Sequence, residues 1–351
     1  MDSKMPLLLT RDDFREKVFE RDSHKCVLCG VEAADAHHIL DRSLFDDSGY
    51  YVENGVSLCT FHHLEAEKTH ITCDELREAA KIKTRCMPEH FYLDENYDHW
   101  GNIVLPNKMR LKGELFGNEN VQKILKEADV LDLFQKYIKQ SRTFHLPWSE
   151  NLQNDDRKHE NVEFLLNKPV VTTLKMDGEG SSLCSDHMHA RSINSGHHPS
   201  RSWLKALHGQ IAQDIPKGFR VVGENVYAKH SIYYQHLKTY FYVFSIWNEN
   251  NIALSWDETH EYAELLGLTM VPEICFGTYK TIEEMRSDIE TNLEKYSKIC
   301  KDEIEGYVVR LADRIPYKDW RISSGKFVRK NHVQTSENWI TQPVIPNKLE
   351  E

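Results

Sequence analysis

The 351-residue chain lacks any apolar stretch near the roughly 20 residues that a membrane-spanning helix needs. Its first residues, MDSKMPLLLTRDDF, also lack the apolar core and the small-residue cleavage site of a secretory signal. Internal repeats and low-complexity tracts are missing, and the composition of 40% hydrophobic and 28% charged residues excludes a disordered or fibrous protein. We therefore expect a cytoplasmic globular protein without a membrane partner, long enough for two domains.

The chain also lacks the overall excess of basic residues that contacts with phosphate require, because its formal net charge is −11. Basic residues are instead concentrated locally. Between Asp186 and Tyr240, seven lysines and arginines stand against three acidic residues, which gives this region a net charge of +4. This distribution allows a nucleic acid to bind one part of an acidic protein.

Eight cysteines lie at positions 26, 29, 59, 73, 86, 184, 275 and 300, a scatter unlike the disulfide framework of a small secreted protein. Two pairs have the spacing of metal ligands, Cys26-x-x-Cys29 and Cys59-x-x-His62. These four side chains suit a tetrahedral structural zinc ion, which would stabilise a unit too small to bury much core. Cys73 is the alternative fourth ligand.

Further metal-ligand residues lie within the same stretch: His37, His38, Asn54 and His63. Their pattern resembles the HNH endonucleases, a family whose ββα-metal fold holds one catalytic divalent metal. The resemblance implies that His38 is the general base, that His37 and His63 bind the metal, and that Asn54 braces the loop. The family has its last ligand one helical turn after His63, where this chain has Glu67, a carboxylate able to bind magnesium or manganese. The alternative is a zinc-stabilised module that binds nucleic acid without cutting it.

Changes of pattern along the chain predict four segments. Residues 1–85 form the HNH-like zinc module, 86–155 a partly helical connector, 156–340 a domain of short strands, and 341–351 a polar tail. In the third segment, β-branched and aromatic runs such as PVVTTLKMDG and TYFYVFSIW alternate with helical patterns. We therefore predict an α+β protein whose C-terminal domain has largely antiparallel sheets.

Lys175 ends one of these predicted strands, within TTLKMDGEGSSL, and is followed by two glycines that would let the backbone approach a nucleotide. The segment resembles the K-x-D-G motif of covalent nucleotidyltransferases, the superfamily of DNA ligases, RNA ligases and mRNA capping enzymes, with an ATP-grasp-like core. A four-residue motif is weak alone. Later segments, however, resemble the remaining motifs of the superfamily in the correct order: HARSINS with Arg191, VVGENVY with Glu224, FYVFSIW with Phe244, EGYVVR with Glu305 and GKFVRK with Lys326.

The resemblance implies a role for each of these residues in holding AMP. Glu224 would bind the ribose hydroxyls, and Phe244 would stack on adenine, which needs a flat aromatic face. Glu305 would support a divalent metal, Mg²⁺ or Mn²⁺. Arg191 and Lys326 would contact phosphate groups.

Two positions depart from the superfamily pattern. Ser245 follows the stacking aromatic where an acidic residue is common, and the second basic residue of the last motif is either Arg329 or Lys330. We also expect like-charge repulsion from Lys326 to favour the neutral, nucleophilic amine of Lys175.

The implied activity is that of an ATP-dependent RNA ligase of the RNA ligase 2 type, acting in RNA repair. Lys175 would take AMP from ATP, transfer it to a 5′-phosphate, and a 3′-OH would then displace AMP to seal nicked or broken RNA. RNA is favoured over DNA because only 21 residues follow Lys330, too few for the oligonucleotide-binding barrel of DNA ligases. The alternatives are a DNA ligase, a capping-type guanylyltransferase, or a nuclease whose ligase-like half only senses nucleotide or binds RNA.

Overall fold

The computed structural model describes residues 7–92, 94–152, 156–191, 193, 197–293, 304–330 and 343–350. The chain divides into two compact units, Met1–Lys139 and Gln140–Glu351. Across the described ranges, none of the helices has the length and apolar character that crossing a membrane requires. Both units mix helices with mainly antiparallel strands, so the α+β class predicted from the sequence is confirmed.

The first unit opens with a helix, two antiparallel strands and two further helices. Their bounds are α1 (Arg11–Arg21), β1 (Asp35–His38), β2 (Gly55–Leu58), α2 (Thr60–Glu67) and α3 (Cys73–Ala79). The Thr10 side chain accepts the Asp13 N–H and caps α1. A Cβ at Gly55 would lie 2.6 Å from atoms of both Phe14 and Val18, so the glycine lets α1 pack closely on β2.

Residues 86–139 belong to this first unit, whereas the sequence predicted a separate helical connector over 86–155. They form β3 (Asn96–Tyr97), β4 (Ile103–Val104), β5 (Arg110–Leu111) and α4 (Glu119–Glu127). Buried polar contacts explain the association. Arg110 pairs with Asp98 at 3.3 Å and also donates to Thr69, which follows α2, while Trp100 Nε1 donates to the Glu67 carbonyl at 2.7 Å.

The second unit contains two β-sheets with α-helices between their strands. Its elements are β6 (Phe144–His145), β7 (Pro169–Lys175), β8 (Glu179–Cys184), β9 (Met188–Ala190), α5 (Ser202–Ile211), β10 (Arg220–Asn225), β11 (Phe241–Trp247), β12 (Ile252–Ala253), α6 (Trp256–Leu265), β13 (Thr269–Met270), β14 (Glu273–Thr278), α7 (Ile282–Leu293), β15 (Gly306–Leu311), β16 (Ile315–Pro316) and β17 (Ser324–Val328). The smaller sheet has the order β14-β7-β15-β17-β6, and the larger has β16-β12-β11-β10-β8-β9 with β13 beside β11.

Two apolar clusters hold these layers together. The first joins both sheets and includes Leu174 of β7, Val309 of β15 and Tyr242 of β11. The second packs the larger sheet against α5 and α6, through residues such as Leu204 and Ala263. In β11, Tyr242 faces the first cluster and Val243 the second, which is the alternation expected of a sheet covered on both faces.

Residues 343–350 differ from the polar tail predicted at 341–351, because they pair with the segment between β10 and β11. Ala228 bridges Pro346, and Leu237 bridges Leu349. Backbone hydrogen bonds explain this placement, since a polar segment can still pair its N–H and carbonyl groups with a neighbouring loop.

Candidate functional site

Lys175 lies at the end of β7, on the same face of the smaller sheet as Lys326 of β17. Thr173, Val308 and Lys326 are direct neighbours across β7, β15 and β17, and Lys175 is two residues beyond Thr173. The Lys175 Nζ contacts Oε1 of Glu305, the residue before β15, and 25% of the lysine side chain remains exposed. The sheet therefore places two of the predicted cationic groups on one face, and one of them, Lys175, contacts the predicted metal-supporting carboxylate.

The carboxylates of this cluster dominate its electrostatics. Burial lowers the pKa of Lys175, but the negative charges of Glu305, Glu224 and Asp177 outweigh this effect, and the net result is a raised pKa. The expected lowering by like-charge repulsion from Lys326 is therefore wrong. Lys326 itself has a lowered pKa, first through burial and then through Lys175 and Arg191, against the opposing charge of Asp156.

Glu224, near the end of β10, has a strongly raised pKa. Burial is the main cause, the charges of Glu305 and Asp177 act in the same direction, Lys175 and Arg191 oppose them, and the net pKa is about 8. A carboxyl group kept near neutrality at physiological pH can donate as well as accept hydrogen bonds. This property suits an acid that faces hydroxyl groups.

The turn after Lys175 is fixed by contacts within the protein. The Asp177 carboxylate accepts the N–H groups of Ser231 and Ile232, each at 2.7 Å, and the Asp177 N–H donates to Tyr234 Oη at 2.9 Å. A Cβ at Gly178 would lie 2.5 Å from the Asn225 carbonyl oxygen. Gly178 therefore allows close approach to strand β10, whereas the sequence suggested close approach to a nucleotide.

Phe244 occupies a β-bulge. The pairing of β10 with β11 shifts between Val222, opposite Ser245, and Gly223, opposite Val243, which leaves Phe244 as the extra residue. Its ring is partly buried against the cluster that joins the two sheets. Ser245, at the position where an acid was expected, accepts the Trp247 Nε1–H at 3.0 Å and so has a role inside the sheet.

The remaining predicted cations lie at the edges of this region. Arg191 follows β9, with its side chain exposed, and its charge acts on Glu224 and Lys326. Arg329 Nε donates to the Ile304 carbonyl at 2.6 Å, whereas the Lys330 side chain is exposed. Of the two candidates for the second basic residue, Lys330 thus has its charged group turned to solvent.

Comparison with known families finds one similarity within this unit. Residues 168–328 match the RNA ligase family model. This RNA ligase-like region begins just before β7 and ends with β17, so it contains Lys175, Glu224, Phe244, Glu305 and Lys326. A comparison with curated proteins finds no significant match.

Several solved structures are similar to the chain. Naegleria gruberi RNA ligase with PPi shares 14% identity at a TM-score of 0.37, and the match covers 92% of this chain and 81% of that one. A mutant of the same enzyme with ATP and Mn shares 12% identity at a TM-score of 0.35, covering 55% and 61%. An archaeal ATP-dependent RNA ligase shares 16% identity at a TM-score of 0.34, covering 48% and 44%. In these last two cases the chain spans less than two thirds of the matched protein.

One group beside the RNA ligase-like region was not predicted. Asp156 Oδ1 lies 3.2 Å from Lys326 Nζ, and its Oδ2 lies 3.1 Å from Nε2 of the buried His145. His145 Nδ1 lies 2.7 Å from the Ser149 Oγ, which accepts the Val328 N–H at 3.0 Å. No motif in the sequence points to Asp156. Only the pairing of β6 with β17 brings the segment that contains Asp156 close to Lys326.

In the first unit, the four predicted zinc ligands form one cluster. The ligand atoms of Cys26, Cys29, Cys59 and His62 all lie within 4.8 Å of one another, and the closest pairs are 3.3 to 3.9 Å apart. Zinc with bonds of about 2.3 Å to sulfur and 2.0–2.1 Å to nitrogen places tetrahedral ligands roughly 3.5–3.8 Å apart, so these residues fit the ion. Cys73 lies elsewhere, because its buried thiol donates to the Ile39 carbonyl at 3.3 Å.

The predicted nuclease residues form a second cluster. His37 is 3% exposed, and its ring lies 4.9 Å from that of His63 and 4.7 Å from that of His99, which the sequence did not single out. His63 Nε2 lies 3.7 Å from Glu67 Oε1. Among the described residues, however, only the cysteine-containing cluster brings three or more ligand atoms within 4.8 Å of one another. The His37, His63 and Glu67 ligands are therefore less compact than the candidate zinc site.

His38 and Asn54 lie beside this second cluster. His38 stacks on Phe14 with ring centroids 4.5 Å apart, and burial lowers its pKa to about 4. Asn54 is fully buried, accepts the Leu40 N–H at 3.0 Å and donates to the Leu40 and Gly49 carbonyls. These bonds close the loop between β1 and β2.

Proposed function

We propose that the second unit is the adenylyltransferase of an ATP-dependent RNA ligase and that Lys175 takes up AMP. The observation that carries the proposal is the contact of Lys175 with Glu305 on a sheet face shared with Lys326, close enough to Glu224 for the two charges to interact. The family match over residues 168–328 supports a ligase of this kind.

The first step is attack of the Lys175 amine on the α-phosphorus of ATP. A nitrogen–phosphorus bond forms, the bond to the β-phosphate oxygen breaks, and pyrophosphate leaves. The amine must first lose to solvent the proton that Glu305 and Glu224 stabilise. Glu305 is the residue that would hold Mg²⁺ or Mn²⁺, which would supply positive charge to the phosphates.

The other side chains are assigned to binding. Glu224 binds the ribose hydroxyls, Phe244 stacks on adenine, and Arg191 and Lys326 neutralise phosphate charge. Lys330 is the preferred second basic residue of the last motif. AMP then passes to a 5′-phosphate, and a 3′-OH displaces it to seal an RNA strand.

Labelled ATP tests the first step. Incubation of the full chain with ATP and Mg²⁺ should leave AMP on Lys175, and Lys175→Ala should abolish the adduct. Lys168→Ala is the matched control, because Lys168 is an exposed lysine just before β7. Replacing ATP by GTP distinguishes a capping-type guanylyltransferase, and comparing nicked RNA-containing and all-DNA duplexes distinguishes an RNA ligase from a DNA ligase. Absence of an adduct while ATP is bound would refute the proposal.

For the first unit, we propose a structural zinc ion held by Cys26, Cys29, Cys59 and His62. A second candidate function is metal-dependent cleavage of nucleic acid, with His38 as the base and His37, His63 and Glu67 as the divalent metal ligands. The buried Nε2 of His37, which lacks a hydrogen-bond partner among the described residues, favours it. Loss of cleavage in His38→Ala, with sealing retained, would support this activity. No cleavage by the wild-type chain would leave a module that only binds nucleic acid.

A further inference from the structure

Residues 343–350, called here the 343–350 strap, bind along the segment 226–240 that connects β10 to β11. The Lys348 N–H donates to the Tyr234 carbonyl at 2.9 Å, and the Lys348 carbonyl accepts the Leu237 N–H at 3.1 Å. The strap thus supplies hydrogen-bond partners for both N–H and carbonyl groups of the segment 226–240, which has no regular strand or helix of its own.

Asn347 is the most connected residue of the strap and is only 2% exposed. Its Nδ2 donates to the Val226 carbonyl at 2.7 Å and to the Ala228 carbonyl at 3.3 Å. Its Oδ1 accepts the Tyr234 N–H at 2.9 Å, and its own carbonyl accepts the Tyr240 hydroxyl at 3.1 Å. Loss of this side chain would leave several buried polar groups without partners, which is costly.

The same segment holds the turn that follows the proposed nucleophile. Tyr234 accepts the Asp177 N–H through its hydroxyl, and the Ser231 and Ile232 N–H groups donate to the Asp177 carboxylate. A continuous series of hydrogen bonds therefore runs from Asn347 through Tyr234 to the Asp177 N–H, two residues from Lys175.

We propose that the 343–350 strap, through Asn347, positions Lys175 for attack by fixing the segment 226–240 against the Asp177 turn. The strap is a positioning element and need not touch ATP. The inference rests on the proposed function of Lys175. It adds a requirement for residues outside the matched range 168–328, because that range contains the turn and the segment 226–240 but not the strap that secures them.

Hydrogen exchange without ATP tests the structural part. In a variant that ends at residue 342, the amide protons of Ser231 and Ile232 should exchange about tenfold faster or more, because the segment that presents them to Asp177 has lost its support. A peptide of residues 343–351 added in trans should restore protection. Unchanged exchange at both amides in the shortened variant would overturn the inference.

Kinetics of lysyl-AMP formation test the functional part in the full-length chain. Tyr234→Phe removes the hydroxyl that accepts the Asp177 N–H, so kcat should fall roughly ten- to a hundredfold, as expected for a displaced reacting group. The KM for ATP should change less than about threefold, because Tyr234→Phe leaves the groups that bind ATP in place and affects only the alignment of the amine in the transition state. Tyr97→Phe is the control, since its hydroxyl likewise accepts a backbone N–H, that of Tyr92, at 2.9 Å, but in the first unit.

The outcomes separate the two proposals. A wild-type chain that forms no adduct would overturn the proposed function, and the exchange measurement would still decide whether the strap supports the Asp177 turn. Wild-type adduct formation together with unchanged kcat in Tyr234→Phe would overturn the positioning role alone. If the shortened variant does not fold, exchange at Ser231 and Ile232 in full-length Asn347→Ala, which lacks the side-chain bonds of the strap, provides the same decision.

Discussion

Gly178→Ala is expected to destabilise the second unit and to slow lysyl-AMP formation. The new Cβ would lie 2.5 Å from the Asn225 carbonyl oxygen and 2.9 Å from Val226 Cγ1. The oxygen belongs to the backbone of β10, so relief of the clash requires the turn and the strand to separate. Overpacking of this kind costs about 1–3 kcal/mol. Because Gly178 is three residues from Lys175, the same displacement should move the amine and reduce the rate of adduct formation.

Urea-induced unfolding of the full chain measures the loss of stability, and labelled ATP measures the rate. Gly209→Ala is the matched control, because Gly209 is an exposed position of helix α5 where a Cβ would meet no atom within 4 Å. It should raise the free energy of unfolding by about 0.5–1 kcal/mol, since glycine is a poor helix former. A Gly178→Ala protein with wild-type stability and rate would refute the proposed close approach of turn and strand.

Three further predictions concern the other charged and metal-binding groups. Cys59→Ser should abolish zinc binding and unfold the region around β1 and β2, whereas Cys73→Ser should keep the zinc content measured by elemental analysis. Glu224→Gln should weaken ATP binding and raise the free energy of unfolding at pH 8 by about 1–3 kcal/mol. The carboxyl pKa of about 8 exceeds its ordinary value of 4.5, so the stability of the wild-type protein declines as the pH rises from 4.5 to 8. Urea titrations across this pH range should show no such decline in the variant. Asp156→Asn should shift the alkaline limb of adduct formation to lower pH, because the Asp156 charge raises the pKa of Lys326. Glu258→Gln, which breaks an exposed ion pair with Arg314, should leave that limb in place.

The sequence was informative where function requires particular residue types at short, regular spacing. Cys26-x-x-Cys29 and Cys59-x-x-His62 predicted a cluster that the fold assembles, because the first pair spans one turn and the second lies at the start of α2. The strand ending at Lys175 and the predicted antiparallel sheets could likewise be read from β-branched runs. In both cases local periodicity determines which side chains lie together.

Features that depend on contacts between segments far apart in the chain could not be predicted. Asp156 reaches Lys326 only because β6 adds to the edge of β17, and His99 reaches His37 only because residues 86–139 fold onto the first unit. The direction of the Lys175 pKa shift also depended on distance. The sequence predicted repulsion by Lys326, but Glu305 is the group in contact with Lys175.

Within residues 86–155, which the sequence predicted to be partly helical, helix α4 ends for a local reason. Helix α4 ends at Glu127, and Asp129 adopts a left-handed conformation with φ of 55°. This turn directs Val130 into the apolar cluster that contains Leu125. Hydrophobic spacing alone does not show where the backbone leaves the helix.

The most direct test of the central claim is mass spectrometry of the full chain after incubation with ATP and Mg²⁺, followed by localisation of the modified peptide. The account predicts one AMP attached to Lys175, lost in Lys175→Ala and retained in Lys168→Ala. AMP on another residue, or an unmodified Lys175 in a protein that binds ATP, would contradict it.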